Sequence, residues 1–445
     1  MAKVYLVSLG CDKNRVDGEV MIGTLRVAGY EVPNDPTQAD AIIVNTCGFI
    51  SDAVQESIDM VLELASYKKA GSCRALIIVG CMAERYRKEI METIPEADAI
   101  VGVGEYENIV GVVAGLIGAP DISPNVADSG DFYLARLAAR VDDAIPHMAY
   151  VKISEGCDNH CTYCTIPAIR GGYRSRTMET ILEECRLLCE AGAKEIVLVA
   201  QDTALYGTDI YGEKRLPVLM REIAAKSGVQ WLRLMYAYPE HITQELIDTM
   251  AELPQVCKYI DMPIQHSENS VLERMGRSGS RTALLKLISE MREKIPGIAI
   301  RTTLMVGFPG EAVEDFKNLY SFAREVKFDR LGVFPYSREE GTPAATMPQQ
   351  VKPQVKQSRM NRLMNLQQKI HFAKQREYVG QILPVMIDAK TDEGYVGRTQ
   401  YDAYEVDAVV NFTVGDAPEK ALSYGQICQV RITEADNYDL RGVLA

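Results

Sequence analysis

The chain has 445 residues, a formal net charge of −13 and eleven cysteines. Such acidity argues against a broad, non-specific grip on nucleic acid, and no apolar run reaches the roughly eighteen residues that would span a bilayer. An odd cysteine count in a long chain, with a first segment too short and wrongly flanked for a signal peptide, points to a reducing cytoplasm and metal ligation rather than disulfides.

The length suits about three domains. Residues 1–118 alternate strand-like apolar runs at 4–9, 41–44 and 75–79 with helical stretches at 17–28 and 51–66. That alternation predicts an α/β domain built on an open parallel sheet. Cys11, Cys47 and Cys81 each fall just past the C-terminal end of one of these strands. In open α/β sheets that rim, at its switch point, is where ligands bind. The three are therefore expected to converge; the alternative is three buried cysteines acting as small hydrophobes. Residues 119–146, with Pro120, Pro124 and Pro146, read as a linker carrying a short helix near 132–140.

From 147 to 345 the rhythm resumes, with strands expected at 149–153, 195–199, 231–236, 259–262, 299–305 and 330–334. Six βα units suit an open, partial (β/α)6 barrel, since a closed eight-stranded barrel takes about 250 residues. Chemistry in such barrels sits at the C-terminal strand ends. Cys157, Cys161 and Cys164 follow the first strand directly. Protein cubane clusters usually take four thiolates, so three at this spacing would leave one iron open to a small ligand. The alternative is a zinc knuckle, which needs a fourth Cys or His at knuckle spacing; His160 is wedged between two of the cysteines. Gln201, Asp202 and the run 263–266 end further strands and face the same rim. Gly307, Pro309 and Gly310 follow the fifth strand, either as an ordinary βα turn or where backbone approaches a nucleoside. Arg170, Arg174 and Arg176 cluster behind the triplet, and an arginine there, Arg176 in particular, is suited to clamp a carboxylate.

Within 346–378 a connecting helix is expected at 354–378, with Met360, Leu363, Leu366 and Ile370 at helical spacing. Its Lys356, Arg359, Arg362, Lys369 and Lys374 are expected to form a solvated face. From 379 to 445, β runs at 384–387, 394–398, 408–412 and 426–433 predict a small antiparallel barrel. From residue 376 onward six basic residues stand against twelve acidic ones. That balance suits a basic protein partner better than an RNA.

With both cysteine triplets in view, the chain resembles the methylthiotransferases of the radical S-adenosylmethionine family. The likeness runs through residues 8–17, 44–49, 79–81, 155–164 and 301–311, and the C-terminal segment is similar to the family's TRAM barrel. The run Asp12-Lys-Asn-Arg-Val-Asp17, the barrel triplet and Ile169-Arg-Gly-Gly172 resemble the RimO-type branch, which modifies an aspartate of ribosomal protein S-twelve. Gly18 and Gly172 depart from the Ser and Pro commoner there. The resemblance implies two 4Fe–4S clusters. One, on Cys157, Cys161 and Cys164, would bind S-adenosyl-L-methionine, with Tyr163 near the adenine and Gln201, Arg176, Gly307, Pro309 and Gly310 around it. The other, on Cys11, Cys47 and Cys81, would deliver sulfur. It further implies a 5′-deoxyadenosyl radical acting on the aspartate β-carbon and an electron donor such as a flavodoxin or ferredoxin, with no membrane and no tRNA. The alternatives are the branch that modifies a tRNA adenosine beside the anticodon, a two-cluster electron-transfer protein, and an RNA-binding module with a structural metal.

Overall fold

Four parallel strands, Val4–Ser8, Ala41–Thr46, Ala75–Gly80 and Ala99–Val101, pair in simple chain order in the computed structural model, which describes residues 2–71, 73–118, 145–415 and 422–445. The expected linker, residues 145 and 146 apart, and its short helix lie outside the described residues. Because the strand order never reverses, this sheet has no switch point. Its shared rim arises instead from adjacency: the three cysteines follow three consecutive neighbours, held level by the registers Val4↔Ala41 and Ala41↔Ala75. The two middle strands are buried along their whole length, as unbroken apolar runs in a parallel sheet should be. Helix Asp12–Val27 starts directly after Cys11, not at 17; its polar first turn concealed the start.

The central domain is an open sheet of six parallel strands, Met148–Lys152, Glu195–Val199, Trp231–Leu234, Val256–Asp261, Ala299–Val306 and Arg330–Pro335, in consecutive order. Alternation sorts its side chains. Ile196 and Leu198 enter the core beneath the helices. Val197 and Val199 face the other way, where Tyr150, Cys257 and Tyr259 pack on Val16 from the N-terminal domain and on Met386 and Ala403 from the C-terminal one. Both flanking domains thus close the barrel's inner face.

Helix Pro353–Glu377 buries Arg359, Leu363, Gln367, His371 and Gln375, one residue every turn. Of the expected apolar residues, Leu363 is fully buried in the barrel core and Met360 and Leu366 pack partly buried against it; the other fully buried positions are polar. Gln367 donates to the Phe328 carbonyl at 3.0 Å, and Gln375 to that of Tyr438 at 3.0 Å. The expected solvated face is corrected in part. Arg359 pairs with Glu311 at 2.8 Å, Lys374 with Asp329 at 2.6 Å, Lys356 reaches the Tyr336 carbonyl at 2.6 Å, and Arg362 lies over Phe316. Arg362 and Lys369 stay exposed, so part of the face is solvated as expected.

Strands Ile382–Thr391, Gly394–Thr399, Val410–Thr413, Ile427–Ala435 and Leu440–Leu444 close the C-terminal barrel. It is not wholly antiparallel. The last strand inserts between the third and fourth and runs parallel to Val410–Thr413. Three of its acidic residues turn inward: Asp388 meets His147 at 2.8 Å and Arg398 at 3.0 Å, Asp402 binds Arg330, and Asp407 accepts from Tyr259 at 2.8 Å. The domain's surface is therefore less acidic than its composition. Among the described residues no helix is long and apolar enough to cross a membrane.

Candidate active site

The loop bearing Cys157, Cys161 and Cys164 is shaped by a backbone crossing. Gly156 has φ +73°, and a Cβ there would lie 2.1 Å from the Gly172 carbonyl oxygen and 2.6 Å from that of Gly171. Only glycine admits that approach, which lets the Cys157 amide donate to the Gly171 carbonyl at 3.1 Å. Asn159 donates to buried Asp202 at 2.9 Å, and Asp202 also holds His241 at 2.6 Å. Cys161 Sγ lies 3.5 Å from the Tyr238 hydroxyl, and Arg277 stacks 3.8 Å over the Tyr238 ring. The loop is thus pinned to the strand ends on both sides. Burial pushes the Cys157 thiol up to about 11 and that of Cys164 to about 12, so both stay protonated near neutrality until a metal takes the sulfur and releases the proton.

The second triplet is assembled by glycines beside the cysteines. At Gly10 (φ +89°) a Cβ would fall 2.9 Å from Cys47 Sγ, and at Gly48 one would fall 2.7 Å from the Cys81 carbonyl carbon. Each gives room for the next strand end, so Cys11, Cys47 and Cys81 stand side by side. Cys11 is exposed, Cys47 and Cys81 buried. Burial raises Cys81 to about 11 against the pull of Arg170, and Cys11 and Cys47 raise it further. Among the described residues no three Cys, His, Asp or Glu side chains form a ready-made site for a metal ion. The fit to a cluster rests on the all-thiol donor sets and on the space these glycines keep open.

Arg170 joins the two triplets. Its side chain is 1% exposed. Nη1 donates to Asp17 at 3.0 Å and to both Glu155 oxygens at 3.0 and 3.1 Å, while Nη2 donates to Cys81 Sγ and to Asn14 Oδ1, each at 3.4 Å. Lys152 completes the group, bonded to Asp17 and, at 2.5 Å, to Glu155. Burial alone would raise the Glu155 carboxyl; Lys152 and then Arg170 overcome it and hold it at about 2. Two buried cations facing two carboxylates are tolerable because every charge is paired. Beside them Tyr236 donates to Asp12 at 2.8 Å, and the Lys13 ammonium sits 3.1 Å from the centre of its ring. On another side, Arg85 pairs with Glu339 at 3.0 Å. The first turn of helix Asp12–Val27 is therefore a docking surface for the barrel rim.

The other expected residues divide. Gln201 donates to Glu155 at 3.2 Å and so joins the rim. Tyr163 meets Phe308 edge-on at 6.4 Å, which brings the triplet's aromatic against the turn holding Gly307, Pro309 and Gly310. Both glycines have positive φ, and Glu311 accepts from the amides of Gly307 and, at 3.1 Å, Phe308. Arg176 turns to Glu184 on helix Met178–Glu190 and to the Lys152 carbonyl at 2.9 Å. Arg170 is instead the arginine that reaches both cysteine loops. Lys13, Asp17, Glu155 and Tyr236 went unremarked as site residues in the sequence. Their one signal was position: two lie within six residues of Cys11 and one lies two before Cys157.

Residues 3–102 match the uncharacterized protein family UPF0004, residues 151–323 the Radical SAM superfamily and residues 379–444 the TRAM domain. The chain is 48% identical over 448 residues to the ribosomal protein uS12 methylthiotransferase RimO of Desulforamulus reducens, covering 100% of both. It is 46% identical over 443 residues to the protein of that name in Lachnoclostridium phytofermentans, covering 99% of each. Among solved structures, the radical S-adenosylmethionine methyltransferase TsrM of Kitasatospora setae superposes with a TM-score of 0.56 at 15% identity, over 83% of this chain and 89% of that one, a likeness of fold. Near-half identity along the entire length, with matches across all three structural units, establishes that the chain belongs to the RimO family of ribosomal protein uS12 methylthiotransferases.

Proposed function

We propose that this protein adds a methylthio group to the β-carbon of an aspartate in ribosomal protein uS12. The observation that carries this reading is the full-length identity to proteins named for that activity. Cys157, Cys161 and Cys164 are assigned a 4Fe–4S cluster and S-adenosyl-L-methionine, and Cys11, Cys47 and Cys81 a second 4Fe–4S cluster. When bound, these groups supply a 5′-deoxyadenosyl radical to remove the β-hydrogen, a sulfur species to trap the carbon radical, and a methyl group from a second S-adenosylmethionine. The chain's own residues position and enclose. Arg170 fixes the two cysteine loops in register through Asp17, Glu155 and Cys81. Tyr163, Gln201, Arg176, Gly307, Pro309 and Gly310 are assigned to the surroundings of S-adenosylmethionine. The units are taken as 1–118, 119–146, 147–345, 346–378 and 379–445, working in the cytoplasm with a flavodoxin- or ferredoxin-type electron donor. Family membership favours uS12 over tRNA more strongly than charge does, since three acidic residues of the C-terminal barrel are turned inward. The test is incubation of reconstituted enzyme, S-adenosylmethionine, sulfide and reductant with uS12 or with tRNA. Formation of 5′-deoxyadenosine and one methylthio group on a uS12 aspartate supports the reading. The same gain on a tRNA adenosine, with uS12 unmodified, overturns it.

A further inference from the structure

The geometry points to Lys13 as the residue that receives the carboxylate of the target aspartate. This rests on the uS12 reading above and names the group on the substrate that the site recognises.

Lys13 lies two residues past Cys11, in the first turn of the helix that docks on the barrel rim. It is 7% exposed. The cations around it are all matched by carboxylates: Lys152 by Asp17 and Glu155, Arg170 by the same pair, Arg176 by Glu184. Lys13 is the exception. Among the described residues its ammonium meets no carboxylate and no hydrogen-bond acceptor, only the face of the Tyr236 ring. The Lys13 side chain is mostly covered while its ammonium keeps an opening to the rim, and a cation set there without a counter-ion gains only part of its stabilisation from an aromatic face. An arriving anion would complete it.

Tyr236 gives a second, independent pointer. It follows strand Trp231–Leu234 with φ +59°, a left-handed conformation unfavourable for a bulky side chain. The surroundings impose it: the Tyr236 hydroxyl donates to Asp12 at 2.8 Å and its amide to Asp261 at 3.3 Å. The outcome is a ring held beneath Lys13, at the third barrel strand's C-terminal end and next to Cys11. Such over-determined strain gathers where a side chain must be placed for function. Lys13 stands two residues from Cys11 and over a ring at the barrel rim, where the two cysteine-bearing domains face each other. An aspartate there brings a carboxylate one bond from its β-carbon, and a charge-assisted contact to Lys13 would orient it.

The test compares uS12 with a version in which the modified aspartate, mapped by mass spectrometry on the parent enzyme's product, is replaced by asparagine. Parent, Lys13→Met and Lys13→Arg are each assayed for the aspartate-to-asparagine ratio of kcat/KM and, by titration of the purified protein, for the ratio of Kd. Both ratios are taken within one preparation, so a fall in iron-loaded enzyme does not move them. The parent is expected to favour aspartate by about tenfold to a hundredfold, the scale of one charge-assisted contact. Lys13→Met should bring both ratios close to one, and Lys13→Arg should keep most of the preference. An unchanged ratio in Lys13→Met, or no preference in a parent that does modify uS12, overturns the assignment. A parent that modifies no uS12 aspartate at all overturns the functional reading itself, and Lys13 with it.

Discussion

Replacing Arg170 with leucine removes the arginine that touches Cys81 on one side and Glu155, two residues before Cys157, on the other. Asp17 and Glu155, 4% and 19% exposed, would be left sharing Lys152. The Asn14 side-chain Oδ1 and Cys81 Sγ would lose their contacts too. Removing one partner of a buried, hydrogen-bonded charge group costs about 3–5 kcal/mol, because the other stays buried without its counter-ion. A chain of several domains need not unfold in one step, so the effect is best read locally, by hydrogen–deuterium exchange of helices Asp12–Val27 and Ile166–Arg170. At about 1.4 kcal/mol per factor of ten, protection there should fall by roughly two to nearly four orders of magnitude. Arg170→Lys keeps the charge but not the fork and should fall less. Adding Asp17→Leu to Arg170→Leu should recover part of the loss, as expected for residues in direct contact. Protection within threefold of the parent in Arg170→Leu would refute the claim that this charge group joins the domains.

Gly156→Ala forces a Cβ to within 2.1 Å of the Gly172 carbonyl oxygen; it should remove about half of the iron and sulfide per chain, one cluster of two, and full iron would contradict the loop geometry. Gly10→Ala should cost the other half, since its Cβ would press on Cys47 Sγ at 2.9 Å, and loss of all iron would mean the two sites are not independent. His266 is held neutral, its pKa lowered from 6.5 to about 3 by burial and then by Arg274 and Arg359. The unfolded chain takes a proton below about 6.5 that the folded chain refuses, so this residue makes stability fall with falling pH, by about 1.4 kcal/mol per unit between those values. His266→Gln should flatten the fall in unfolding midpoint between pH 6.5 and pH 5, and an equal slope in parent and variant would count against it.

Local signals carried much of the architecture. The spacing of Cys157, Cys161 and Cys164, and the place of Cys11, Cys47 and Cys81 after three apolar runs, needed no distant information. What escaped were features decided by partners far along the chain. Arg170 rather than Arg176 meets both loops because Asp17, 153 residues away, lies opposite it. Helix Pro353–Glu377 packs its apolar residues on the barrel as their spacing implies, yet buries polar ones beside them, because the barrel presents the Phe328 and Tyr438 carbonyls and Glu311 to it. Strand Leu440–Leu444 went unread although it forms a hairpin with Ile427–Ala435; its other, parallel edge to Val410–Thr413 joins segments too far apart in sequence to leave a local signal. Ala99–Val101 has only three residues to betray it. Net charge overstates the acidity of the C-terminal surface because a count cannot see that Asp388, Asp402 and Asp407, and with them Arg398, point inward.

The most direct test of the central claim is mass spectrometry of ribosomal protein uS12 and of tRNA from cells lacking this gene, beside cells in which it is restored. One uS12 aspartate should lose its methylthio group in the deletion and regain it on restoration, while tRNA adenosine modification is unchanged. A uS12 mass that is the same in both strains, with a methylthio group missing from tRNA instead, would contradict that claim.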